Sequence, residues 1–201
     1  LTIYSQDISK SWQKVYELEK VGSYKTAYKE VQDIYKKANR KKNEAEKTKA
    51  FLYNLKFKNQ LEEVTTQSIL NDITREINTS KGIYKEIYRW YYIKTIDNEL
   101  SGNYRYNLST NIKNTTEDLP DNIEKWSAEH YKQVLTEQID LLFKNEKILK
   151  ETKVSEMKHL IDYDFIDHNL DQTVYEFFAI NFIDEHAASY NNLRFNEIKG
   201  I

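Results

Sequence analysis

The groups in this chain best suited to chemistry are four histidines, one run of aspartates and one aromatic cluster. His130, His159, His168 and His186 include no pair four residues apart and no His-Glu-x-x-His pattern. Zinc held on a helix face needs that spacing, so a metal site built from them has no support. His186 falls on the apolar stripe of the last predicted helix and reads as a hydrogen-bonded core residue. Asp162, Asp164, Asp167, His168 and Asp171 form the densest acidic cluster. A calcium loop needs several oxygens converging on one point and normally a glycine at the sharp turn. No glycine lies in this stretch, and a solvated loop is the better reading.

Other catalytic signatures fail in the same way. No Gly-x-Ser-x-Gly elbow presents a serine, and four glycines in all leave no phosphate-cradling fingerprint. The 32 carboxylates are scattered, none beside the Gly-rich turns or loop aromatics that would frame a glycosidase-like cleft. There is no cysteine, which removes thiolate ligands, disulfides and a Cys nucleophile. The expectation is a chain that is not an enzyme and carries no cofactor and no metal.

Tyr88-Arg89-Trp90-Tyr91-Tyr92 is the one run suited to a binding surface. Consecutive aromatics on a helix point in different directions, so any left outside would meet a partner, as aromatics and Arg do at interface hot spots. Tyr88, Arg89, Trp90 and Tyr92 are the candidates. A helix apolar on all sides is ordinarily buried, however, and burial is the first expectation for them.

The elements that would carry these groups are helices. One Pro and four Gly are too few for a chain of short strands and tight turns, while 16 Tyr, 8 Phe and 3 Trp can fill a core. Trp12, Val15 and Leu18 share a helical face over Ser9–Val21. Gly22 then ends that helix and Ser23 is placed to cap the next. Tyr24, Ala27, Tyr28, Val31, Ile34, Tyr35 and Ala38 make the cleanest stripe in the chain. Asn43 with Glu46 resembles a capping box opening a helix to Leu61, apolar on more than one side and therefore central. Further helices are predicted over 66–78, from Ile83 to about Leu100 where Gly102-Asn103 stop it, from near Asp121 through Leu142, and from a cap at Asp171 onward, with one short helix near Met157.

The expected architecture is all-α, roughly seven helices in a bundle of helical hairpins, partly tetratricopeptide-like. Residues 7–201 read as a single helical domain, with a sub-boundary in the polar loop 107–122 that holds Pro120. Leu1–Gln6 reads either as the remnant of a signal peptide or as a ragged terminus. Charges are balanced, 30 basic against 32 acidic with no basic stripe, so nucleic acid is not an expected partner. The longest nearly apolar run, 175–183, is too short to span a membrane. A monomer is expected, because each apolar stripe finds a partner within the chain.

Gly22-Ser23-Tyr24-Lys25-Thr26-Ala27 is similar to the second half of a tetratricopeptide motif, although no repeat at its period of about 34 residues is present. The longer run resembles a specific family. Trp12-Gln13-Lys14-Val15-Tyr16-Glu17-Leu18, Val31-Gln32-Asp33-Ile34-Tyr35, Lys49-Ala50-Phe51-Leu52-Tyr53-Asn54-Leu55, Asn103-Tyr104-Arg105-Tyr106 and Thr173-Val174-Tyr175-Glu176-Phe177-Phe178-Ala179 resemble the N-terminal helical region of Bacteroidetes-type bacterial alpha-2-macroglobulin-like proteins. Asp171-Gln172 depart from that family's pattern, which often has a basic residue and Pro before the Thr.

The resemblance implies an exported parent chain in the periplasm or cell envelope, with macroglobulin-type β-domains downstream and a protease-trapping role. This segment would then be a non-catalytic accessory domain contacting the downstream domains and another envelope protein. The alternative is a periplasmic helical-repeat adaptor that holds a peptide or partner protein in its groove.

Overall fold

Gly22 lies in the left-handed region at φ +73°, and the backbone around it forms a Schellman close. The Ser23 amide donates to Leu18 O at 2.8 Å and the Gly22 amide to Glu19 O at 3.0 Å. This ends α1 (Thr2–Lys20) and reverses the chain into α2 (Tyr24–Arg40). Ser23 occupies the cap position, but its hydroxyl makes no capping bond. The same device recurs after α2, where Lys42 takes φ +54° and the Asn43 amide reaches back to Ala38 O at 3.0 Å. Asn43 then accepts the Glu46 amide at 3.2 Å and opens α3 (Glu44–Gln60). The Glu46 carboxylate does not complete the expected box; it accepts from the Trp12 indole at 2.7 Å and ties α3 to α1.

The computed structural model describes residues 2–61, 64–107, 119–157, 159–160 and 172–190. Among these the chain is all helical, with eight α-helices and no strand. The stripe read on α2 packs as its spacing requires: Ala27, Val31, Ile34 and Ala38 are buried and the three tyrosines are half-buried along its edges. α3 is the central helix. Ala50 and Phe57 join Ile8, Trp12 and Val15 of α1 and the α2 stripe in one apolar cluster. Phe51, on the adjoining face, joins Ile69, Ile73 and Ile77 of α4 (Thr66–Thr79) and Tyr88 of α5 (Gly82–Asn107) in a second. Each Ile, Val or Phe removed from water in these clusters contributes about 1.5–3 kcal/mol.

Two boundaries differ from expectation. α1 begins at Thr2 rather than Ser9, which places Ile8 inside the helix and in the core. α5 runs through Gly102 to Asn107. A lone helical glycine costs only about 1 kcal/mol, too little to end a helix of this length. The expected loop at 107–122 lies mostly outside the described residues. At its end, Asn122 caps a 3₁₀ turn, Ile123–Lys125, whose first amide donates to Gln67 of α4 at 2.8 Å. The next helix, α6 (Ala128–Lys144), therefore starts later than Asp121.

The chain divides into two compact units, Leu1–Ile139 and Asp140–Ile201. The division falls within α6 and not in the 107–122 loop, because the 3₁₀ turn bonds back onto Gln67 of α4 and Gln138 of α6 onto Arg89 of α5. The second unit holds α7 (Glu146–Glu151), a 3₁₀ turn at Val154–Met157 and α8 (Val174–Tyr190). A single antiparallel bridge, Lys153 to Thr173, brings α7 and α8 together, with the Val154 amide on Gln172 O and the Val174 amide on Thr152 O, both at 2.9 Å.

Thr173 caps α8; Asp171, the expected cap, lies outside the described residues. The Thr173 hydroxyl accepts the Glu176 amide while the Glu176 carboxylate accepts the Thr173 amide, a reciprocal capping box. The Thr173 amide and hydroxyl both donate to the Glu176 carboxylate and hold it below its ordinary value. Val174 and Phe178 are buried, whereas Tyr175 and Phe182 are half-buried, Tyr175 meeting Phe143 edge-on at 5.2 Å.

Ala27 has no exposed surface and packs in the cluster shared by α1, α2 and α3. Replacing Ala27 with Leu is expected to overpack this contact and cost about 1–3 kcal/mol, read as a lower denaturant midpoint at unchanged slope. An unchanged midpoint would contradict the hairpin packing.

Candidate functional site

Glu76 lies on the apolar stripe of α4, between Ile73 and Ile77, and Lys47 lies one turn before Phe51 on α3. Both are therefore carried into the interior by the residues around them. Their side chains are 6% and 5% exposed, and they meet at 2.8 Å. The Tyr35 hydroxyl of α2 donates to the other Glu76 oxygen at 2.5 Å. Three helices thus converge on one carboxylate. Glu44, partly exposed at the start of α3, stands 3.7 Å from the same ammonium. Burial, reinforced by the bond to Glu76 and that carboxylate's charge, pushes the Tyr35 phenol far above its ordinary value. Beside this group the Thr48 and Tyr88 hydroxyls lean on one another without a well-formed hydrogen bond, and burial drives the Tyr88 phenol up as well.

Glu76 and Tyr35 also line an open cleft of about 320 Å³ between α2, α3 and α4. Each helix contributes one face at helical spacing: Tyr28, Gln32, Tyr35 and Lys36 from α2; Phe51, Asn54, Leu55 and Lys58 from α3; Asp72, Arg75 and Glu76 from α4. One wall is an ionic row in which Asp72 takes Lys58 at 2.7 Å and Arg75 at 3.0 Å. Phe51 and Leu55 supply apolar surface among the polar groups. The Asn54 amide oxygen is closed off from solvent and accepts no hydrogen bond.

The aromatic run on α5 does not form the partner surface considered for it. Tyr88, Arg89 and Trp90 are buried, and Tyr92 is half-buried with its phenol raised by burial and by Glu137. The reason is the position of α5, which presents Tyr88 edge-on to Phe51 at 5.2 Å and spends Arg89 internally. Arg89 donates to Glu86 at 3.1 Å and to Gln138 of α6 at 2.7 Å. Of the histidines, His130 is buried as half of a reciprocal cap: its Nδ1 accepts the Ser127 amide at 3.1 Å and its own amide donates to Ser127 Oγ at 3.3 Å. That box opens α6 with His in the place usually taken by Glu. The acidic cluster 162–171 and the His186 side chain lie outside the described residues. Among the described residues no three His, Asp or Glu side chains converge as metal ligands, and no helix is long and apolar enough to cross a membrane.

A second aromatic group, not singled out by sequence, sits where α1 meets α3. Trp12 stacks on Tyr16 at 5.9 Å and meets Tyr53 edge-on at 4.9 Å, while the Lys49 ammonium lies 4.3 Å from the Trp12 ring. The box is filled by its own lysine, so it joins helices rather than receiving a ligand.

No protein-family model, no curated protein and no solved structure matches this chain.

The convergence on Glu76 gives a direct expectation. Tyr35→Phe removes a hydrogen bond to a charged group and should cost about 1.5–3 kcal/mol of unfolding free energy. A denaturant titration showing no loss would mean that the phenol is not a partner of Glu76.

Proposed function

We propose that this chain is a non-catalytic helical accessory and interaction module at the N-terminus of an exported alpha-2-macroglobulin-like protease-trapping protein. The single observation that carries an interaction role is the cleft between α2, α3 and α4. It is a concave, mixed polar and apolar surface whose lining includes Glu76 of the buried Lys47–Glu76 pair. Deeply buried ionisable groups are committed to helix packing, Lys47 to Glu76 and Arg89 to Glu86 and Gln138. Such pairs act as structural ties, and a cleft of this size is at the small end of the about 300–1,000 Å³ typical of ligand sites. The placement in an exported macroglobulin-like parent rests on the resemblance carried by the runs at 12–18, 31–35, 49–55 and 173–179. The periplasmic or envelope location rests on that same resemblance.

The cleft equally favours a second reading, a periplasmic helical-repeat adaptor that binds a peptide or partner protein there. The two readings differ in the parent chain beyond residue 201. Alternating strand patterning downstream, with protease capture retained after residues 1–201 are deleted but association with the cell envelope lost, is the outcome expected of an accessory module. A parent without such patterning overturns the macroglobulin placement in favour of the adaptor. Isolated residues 1–201 that cleave a substrate would overturn both.

A further inference from the structure

The order of the helices gathers cations that the sequence keeps apart. Lys47 in the first turn of α3 meets Glu76 in the last turn of α4 at 2.8 Å, so the α2–α3 and α4–α5 connections lie at the same end of the first unit. Arg40, Lys41 and Lys42 stand exposed at the first connection, with Lys81 exposed and Lys85 half-buried at the second. We propose that this end of the unit is a docking surface for an anionic lipid bilayer, a reading that goes beyond the interaction module and does not depend on the identity of the parent chain. The carboxylates around these connections already have partners. Lys36 holds Asp33 at 3.5 Å, Lys37 holds Asp7 at 3.1 Å and Arg89 holds Glu86 at 3.1 Å. Glu46 accepts from the Trp12 indole, with Lys49 over that ring, and Glu44 and Glu76 share Lys47. With all of these counted, residues 33–49 and 76–89 together with Asp7 hold ten cations against six carboxylates, in a chain whose net charge is −2. Glu137 of α6 faces α5 at Tyr92, further along that helix than Lys85. The five cations at the two connections form no ion pair among the described residues.

Lys42 gives a second argument. It takes φ +54° where the chain closes α2, the left-handed position that Gly22 fills without strain after α1. A lysine kept where glycine fits better points to a use for its charge. The placement then selects a plane as the partner. Arg40, Lys41 and Lys42 are consecutive and all exposed, so they point in different directions around the tip of the connection. They do not line one edge along which a single extended strand of polypeptide or nucleic acid could run. Their long, flexible stems can all reach one flat anionic surface laid across the ends of the helices. Four lysines to one arginine also suit diffuse charge better than the bidentate recognition of single groups.

The test is flotation of the full chain with large unilamellar vesicles of phosphatidylglycerol and phosphatidylcholine in equal parts, against vesicles of phosphatidylcholine alone. Binding to the anionic vesicles is expected, weakening as salt is raised, with none to the neutral ones. Arg40→Glu/Lys41→Glu/Lys81→Glu changes only exposed side chains and should keep its circular dichroism while losing affinity at least about tenfold. Lys20→Glu/Lys25→Glu, at the Gly22 end of the same helices, should bind as the unaltered chain does. Lys42→Gly separates charge from structure: it should raise the denaturant midpoint and yet weaken vesicle binding. Equal binding to neutral vesicles, unaltered affinity in the charge-reversed variant, an equal loss in the Lys20/Lys25 variant, or no binding to anionic vesicles would each overturn the proposal. So would a fluorescein-labelled polyglutamate or single-stranded oligonucleotide that binds as tightly by anisotropy. None of these measurements involves the parent chain, so their failure removes the lipid surface and leaves the interaction module standing.

Discussion

The buried pair of Lys47 and Glu76 is the constraint on which the first unit turns. Taking two ions out of water costs several kcal/mol each, and only close geometry with further donors offsets it. Here Tyr35 supplies the further donor and Glu44 a second, more distant negative charge. Because the three partners of the carboxylate system come from α2, α3 and α4, the pair is satisfied in only one arrangement of those helices. Apolar contact between Phe51 and the α4 isoleucines could tolerate a slip along the helix axes; an ion pair at 2.8 Å with a phenol on its other oxygen could not. The pair therefore sets the register in which the α1–α3 cluster meets the α4–α5 cluster.

The cleft is a consequence of that register. Glu76 is drawn inward while Asp72 and Arg75, earlier on the same helix, remain at the surface facing Lys58 of α3. Asn54 of α3 lines the same cleft. A purely apolar junction would have closed over this space, since side chains collapse against one another where no polar group must be held at a distance.

Much of this was readable in the residues. The stripe from Tyr24 to Ala38, the caps at Asn43 and Gly22 and the central place of α3 follow from spacing and turn chemistry alone. The pair at the centre was legible in principle. Lys47 falls on the face of α3 that carries Ala50, Phe51 and Phe57, and Glu76 falls among Ile69, Ile73 and Ile77, so each is a charge on an apolar stripe. Amid 62 scattered charges neither stands out, and only the fold shows that the two stripes meet. Gly102 misled for a related reason: a local breaker signal was outweighed by the helix on both sides of it. Thr173 caps α8 with Glu176 three residues on, a box that the sequence displays; Asp171, two residues earlier, competed for the same assignment. The burial of Tyr88 to Trp90 was the first expectation, because a helix apolar on all sides has nowhere else to go.

A double-mutant cycle across the pair tests this account most directly. Lys47→Met and Glu76→Leu are each expected to lower the unfolding free energy by about 3–5 kcal/mol, since each leaves a buried charge without its partner. The double variant, with both charges gone, should lose far less than the sum, giving a coupling of the size seen between residues in direct contact. Single variants whose losses simply add would contradict it, and would mean that α2, α3 and α4 are held in place without the ion pair.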